Sequence, residues 1–163
     1  VMGLDGDFNP RRLERYLALA NAAGVLPVVV LTKADLCADA DARLDGLRVR
    51  LPSHVDRIAL NATDPGDVAP LRAYLDTGTT AVLLGSSGAG KSTLTNTLCG
   101  GEVQSTGPVR ESDSRGRHTT TGRHLVPLDG GGCLIDTPGL RGLRLDVDEA
   151  ALAAAFEDIE ALA

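Results

Sequence analysis

Apolar and polar positions along the chain change period several times, and each change marks an element. The opening residues end in Asn9-Pro10, a helix start. "RRLERYLALANAAG" then sets Leu13, Tyr16, Leu17 and Ala20 on one helical face until Gly24 stops it. "VLPVVVLT" is a short, nearly unbroken apolar run, which predicts a strand buried on both faces of a parallel sheet. "ADARLDGLRVRL" and "DPGDVAPLRAYLD" predict two more helices, with a weaker strand, "RIALNA", between them. "TTAVLLG" is a second buried strand and runs through a glycine-rich loop into the helix "KSTLTNTLCG". At the start, Val1-Met2 reads as a strand already under way.

Residues 101–123 lose this periodicity and are rich in Gly, Ser, Thr and Arg, the pattern of a long functional loop. "RHLVPLDGGGCLIDT" predicts two strands joined by a glycine-rich turn, an antiparallel hairpin at one side of the sheet. "DEAALAAAFEDIEALA" closes the chain as a helix with Leu152, Phe156, Ile159 and Leu162 on its buried face. Strands alternating with helices predict an α/β fold, a three-layer, doubly wound sandwich on a mostly parallel sheet. At 163 residues this is one domain spanning residues 1–163.

Composition narrows the chemistry. With two Phe, two Tyr and no Trp, the core must be aliphatic, and a base-stacking surface is disfavoured. A net charge of −6 argues against a surface that binds nucleic acid throughout, so any RNA contact is local. Cys37, Cys99 and Cys133 are widely separated, which speaks against a zinc site or disulfide framework and for a reducing compartment. No apolar run is long enough to span a bilayer and "VMGLDGDFNP" lacks the regions of a signal peptide, so the expected location is the cytoplasm.

Residues 85–92, Gly-Ser-Ser-Gly-Ala-Gly-Lys-Ser, fit the phosphate-loop pattern G-x-x-x-x-G-K-[ST] in full, between a strand and a helix. Such a loop wraps phosphate oxygens with successive backbone N–H groups, which assigns Ser87, Gly88, Ala89, Gly90, Lys91, Ser92 and Thr93 to nucleotide binding. Lys91 would reach the β and γ phosphates, and Ser92 would ligate Mg²⁺. The plain alternative is a Gly/Ser-rich turn, and the cradle by itself does not choose ATP or GTP.

Thr32-Lys33-Ala34-Asp35 directly follows the strand "VLPVVVL". There Asp35 can accept from N1–H and the 2-amino group of guanine, while the Lys33 stem packs over the ring; adenine lacks both donors, and an unpaired buried carboxylate is costly. Taken alone, the tetrapeptide also fits a surface turn. Asn61-Ala62-Thr63, after "RIAL", would form a second guanine loop with the Ala62 N–H near the base O6, and an ordinary strand-to-helix turn fits it equally well. Asp136-Thr137-Pro138-Gly139 would hold Mg²⁺ through a water on Asp136 and sense the γ-phosphate with the Gly139 N–H, against the alternative of a simple turn. In many GTPases a water-orienting Gln comes next. Here the residue is Leu140, so either hydrolysis is slow or another group orients water. His118, in "GRHTTTGRH", is the candidate, equally readable as a His exposed on a basic loop, and Thr120 beside it is the expected Mg²⁺ ligand.

Guanine-reading segments that precede the phosphate loop, together with "LDGDFNPRRLERYLALA", "GSSGAGKSTLTN", "GRHTTT" and "LIDTPGL", resemble the circularly permuted GTPases, specifically the RsgA/YjeQ family of ribosome small-subunit-dependent GTPases. The resemblance implies a circularly permuted P-loop NTPase topology and hydrolysis of GTP to GDP. It also implies binding to the nearly mature small ribosomal subunit in the GTP state, with the subunit accelerating the reaction. Members of the family flank this core with an OB-fold and a zinc-binding domain, and neither pattern is present in the sequence, so no zinc is expected here. Arg110, Arg115, Arg117, His118 and Arg123, with Arg141 and Arg144, would give basic switch loops a local rRNA-binding face on a monomer. The same arginines fit a merely solvated loop. The competing functions are a P-loop ATPase or small-molecule kinase, a permuted GTPase of large-subunit assembly, and a nucleotide-binding interaction module that hydrolyses little.

Overall fold

The computed structural model describes residues 1–104 and 124–137. In chain order the elements are β1 (Met2–Gly3), α1 (Pro10–Ala22), β2 (Val28–Thr32), α2 (Ala40–Arg50), β3 (Asp56–Ala59), α3 (Pro65–Val68), β4 (Thr80–Leu83), α4 (Lys91–Cys99), β5 (His124–Pro127) and β6 (Cys133–Asp136). β1, β2 and β3 form one parallel triplet; the second has the order β4-β6-β5, with β4 and β6 parallel and β5 antiparallel at the edge. Val1 N donates to Leu84 O at 2.6 Å, bringing the start of β1 against the end of β4 and joining the two triplets.

The continuous apolar run of β2 is explained by its two buried faces. Val29 and Leu31 pack with Leu13, Leu17, Leu47 and Val55 under α1 and α2, whereas Val30 packs with Leu60, Leu83, Leu94, Leu98 and Leu134 on the α3–α4 side. Alternate residues of a strand point to opposite faces, so a strand between two helix layers must be apolar at both parities. The second of these clusters includes residues of both triplets, which makes them one layer of the sandwich.

Local signals act as their chemistry predicts, with three differences, the first being that β4, expected as a buried strand, buries only Leu83 and leaves Thr80 and Val82 exposed. Asn9 caps α1 by accepting from Arg12 N at 3.2 Å, and Pro10 occupies its first turn. Leu13, Tyr16 and Leu17 are buried as expected, but Ala18 is fully buried and Ala20 only half-buried. The stretch expected as one helix over residues 64–76 divides into α3 and a 3₁₀ segment, Ala69–Tyr74. Pro70 has no N–H for an i→i−4 bond, and its ring crowds the carbonyl four residues back, so the chain tightens into 3₁₀ geometry. The expected closing helix lies outside the described residues.

Candidate functional site

The phosphate loop follows β4 and turns into α4. Gly88 and Gly90 have φ of +79° and +85°, values that L side chains resist. The first glycine of the motif is needed for space: a Cβ on Gly85 would lie 2.2 Å from the backbone oxygen of Val1. Gly90 N-caps α4 without a side-chain cap, so the first-turn N–H groups are left to an oxyanion rather than to a capping side chain. Lys91 is buried, and its ammonium donates to Gly85 O at 3.1 Å and Ser86 O at 2.9 Å. The side chain is thus folded along the cradle it would share with phosphate. Burial pushes the Lys91 pKa down, and the nearby Asp136 carboxylate opposes that shift only in part.

The segments expected to read guanine follow β2 and β3 and are tied to the phosphate loop. Thr32, fully buried at the end of β2, donates from Oγ1 to Ala89 O at 2.8 Å. The Thr32 side chain therefore braces the phosphate loop, while Lys33 and Asp35 continue beyond it. Lys33 has a left-handed backbone, φ +62°, and Asp35 lies exposed in a short 3₁₀ turn, Ala34–Leu36. Ala34 N donates to Leu60 O at 3.2 Å, which brings this turn beside the Asn61-Ala62 loop. Asn61 Oδ1 accepts from Thr63 N at 3.0 Å and Thr63 Oγ1 at 2.8 Å, shaping that loop, and its backbone N–H donates to Asp67 of α3. Ala62 is buried, and its carbonyl accepts from Thr97 of α4 at 2.7 Å. This bond ties the helix after the phosphate loop to the Asn61-Ala62 loop.

Two of the three expected metal ligands, Ser92 and Asp136, meet at the end of β6. Asp136 is fully buried; its Oδ2 accepts from Ser92 Oγ at 3.2 Å, and its Oδ1 has no hydrogen-bond partner among the described residues. A buried carboxylate oxygen left over beside a hydroxyl is a hard-oxygen donor set of the kind that fits Mg²⁺. Thr137 continues the strand end and anchors it to β4 by donating to Leu83 O at 2.7 Å.

Of the residues expected from sequence, Thr32, Lys33, Asp35, Asn61, Ala62 and Asp136 are described at or just past strand ends and residues 87–93 in the loop and first turn of α4, with bonds linking Thr32 to Ala89, Ala62 to Thr97 and Asp136 to Ser92. His118, Thr120, Gly139 and Leu140 lie outside the described residues, as do the arginines of residues 105–123 and 138–163. Sequence reasoning assigned no role to Asp5, Asp7, Ser86 or Thr97. The first two had a usable signal, because acidic residues just after a buried parallel strand emerge at the sheet edge where ligands bind. Among the described residues no helix is long and apolar enough to cross a membrane.

Comparison with known proteins agrees with this geometry. The model of the RsgA GTPase family matches residues 1–146. The small ribosomal subunit biogenesis GTPase RsgA of Xanthomonas oryzae pv. oryzae (strain PXO99A) is 58% identical over 163 residues, all of this chain and 45% of the relative. The protein of the same description from Xanthomonas campestris pv. campestris (strain B100) is 56% identical, again over the whole chain and 45% of the relative. Among solved structures, YjeQ from Thermotoga maritima superposes with a TM-score of 0.70 at 25% identity, covering 97% of this chain and 53% of that one. YloQ, described as a circularly permuted GTPase, has the same fold, with a TM-score of 0.68 at 23% identity over 98% of this chain and 51% of that one. The chain thus spans just under half the length of the curated relatives it matches.

Proposed function

The chain belongs to the RsgA GTPase family, and from that membership we propose that it binds GTP and hydrolyses it to GDP and phosphate as a switch in late maturation of the small ribosomal subunit. The observation that carries this reading is the Thr32 Oγ1 bond to Ala89 O, 2.8 Å, which fastens the guanine-reading strand end to the phosphate loop. A nucleotide held by that loop would extend its base toward Lys33 and Asp35. The reading takes residues 1–163 as one permuted GTPase domain, monomeric, without zinc and located in the cytoplasm.

In this reading the backbone N–H groups of residues 87–93 hold the α and β phosphates, and Lys91 leaves the carbonyls of Gly85 and Ser86 to pair with β and γ oxygens. Asp35 accepts from the guanine N1–H and 2-amino group, and Ala62 N–H faces O6. Ser92, Asp136 and Thr120 would hold Mg²⁺, which when bound neutralises charge on the β and γ oxygens. Gly139 N–H senses the γ-phosphate. His118 orients the attacking water in place of the glutamine that Leu140 replaces. The basic loops around Arg115 and Arg117 contact rRNA of the small subunit in the GTP state. Curated relatives that carry the small-subunit biogenesis description support that choice of partner.

GTP turnover of this chain, alone and with purified small or large ribosomal subunits, tests the proposal. Stimulation by small subunits only is expected, and stimulation by large subunits only, or by neither, refutes it. Single-turnover hydrolysis by His118→Ala with small subunits present is expected to be slowed, and an unchanged rate removes His118 from the mechanism.

A further inference from the structure

We propose that Asp5 is a positioning residue for guanine binding: it holds the Lys33 ammonium so that the Lys33 stem is laid out in advance for the base. The inference rests on the GTP-binding reading and names a residue outside the nucleotide motifs. Gly3 of β1 lies opposite Thr32 of β2, and Leu4 N donates to Thr32 O at 2.9 Å, so the turn after β1 emerges beside the start of the guanine loop. Within that turn Asp5 Oδ1 accepts from Asp7 N at 3.0 Å, which orients the carboxylate, and Asp5 Oδ2 accepts from Lys33 Nζ at 2.5 Å. A Cβ on Gly3 would stand 3.1 Å from Asp5 Oδ1, so the glycine keeps room for the carboxylate.

The turn has a firm base. Asp7 Oδ2 accepts from Ser86 Oγ of the phosphate loop and from Arg12 Nη1 of α1 at 2.7 Å. One short turn thus grips the cradle through Asp7 and the guanine reader through Asp5. The Asp5–Lys33 pair is partly exposed, with side-chain exposures of 37% and 21%, so it adds little to folding. Its effect is on order: an ammonium on a flexible four-carbon stem loses its rotamer freedom before the ligand arrives, and a base that meets a preset stem binds more tightly.

Equilibrium titration of fluorescent GDP and IDP into wild type, Asp5→Asn, Asp5→Glu, Lys33→Ala and the double variant Asp5→Asn/Lys33→Ala tests this. Asp5→Asn is expected to weaken both nucleotides equally, on the order of fivefold, the scale of one charge-assisted contact. IDP lacks the 2-amino group that Asp35 reads, so an unchanged GDP-to-IDP ratio separates loss of the Lys33 stem from a general loosening of the loop, which would lower the ratio. Asp5→Glu is expected to recover part of the affinity, and Asp5→Asn to add nothing in the Lys33→Ala background. Wild-type affinity in Asp5→Asn, a fallen ratio, or additive losses in the double variant overturn the inference while leaving the GTP reading intact. Failure of the wild-type chain to prefer GDP to ADP overturns both.

Discussion

Replacing Thr32 by Val tests how much of the coupling between the Lys33–Asp35 turn and the phosphate loop runs through one hydroxyl. Val has nearly the same shape, so the substitution puts a methyl group where Oγ1 now donates to Ala89 O at 2.8 Å. A methyl cannot approach a carbonyl oxygen that closely, and the oxygen loses its donor in a place where Thr32 is 0% exposed. The hydrogen bond and the stranded carbonyl together cost about 1–3 kcal/mol. The strain falls on the loop between Ala89 and Gly90, whose Cα already sits so close that a Cβ would meet Thr32 Oγ1 at 3.2 Å. For a domain of this size the melting temperature should drop by roughly 2–4 °C per kcal/mol. If even about 1.4 kcal/mol is felt by the loop that binds phosphate, GDP affinity falls about tenfold. Thr32→Ser keeps the hydroxyl and loses only a methyl, so it separates the two effects. It should lose some stability to the small cavity, yet bind GDP as wild type does. Calorimetric melting and fluorescent-GDP titration of both variants give the result, and equal GDP affinities for Val and Ser would refute the reasoning.

Other outcomes follow from the cradle and from α2. In the proposed binding mode phosphate pairs with the Lys91 ammonium, whose pKa in the free protein burial has pushed below the ordinary 10.5. GDP affinity should therefore be full below that lowered pKa and fall by up to about tenfold per pH unit as pH rises from it toward 10.5. The nucleotide-free protein should show the opposite sign, its stability rising over the same window because the unfolded chain binds more protons there. Lys91→Met should flatten both profiles in titrations across the alkaline range, and a wild-type GDP profile that is already flat refutes the shift. Gly85→Ala would push a Cβ against the Val1 carbonyl at 2.2 Å, backbone that cannot swing aside, and should cost about 2 kcal/mol or more in urea unfolding. Gly46→Ala, inside α2 with nothing within 4 Å of the new Cβ, should instead gain about 0.5–1 kcal/mol, and similar results for the two would contradict the packing described.

Much of the architecture was legible in the chain because it is local chemistry. The Asn9-Pro10 cap, the aliphatic runs of β2 and β4 and the glycine turn between β5 and β6 each state their own conformation within a few residues. The phosphate loop was legible for the same reason, since its glycines and its lysine do their work within eight consecutive positions. The 3₁₀ break at Pro70 is also local chemistry, and the apolar pattern masked it.

The rest was a matter of which strand ends meet, and spacing along the chain does not encode that. Thr32 was expected to touch nucleotide, but its side chain is turned inward onto Ala89, 57 residues away in sequence. Asp5 and Lys33 are 28 apart, and Ser92 and Asp136 are 44 apart. Each pair exists because parallel strands deliver their carboxyl ends to one edge of the sheet whatever the order of connection. The sequence by itself determined most of the elements and the glycine-rich loop between β4 and α4, and it named the groups proposed to read guanine and hold Mg²⁺. Only the tertiary structure decided which of those groups brace one another and which are left free for a ligand, because register and burial fix the partners of a buried hydroxyl or carboxylate.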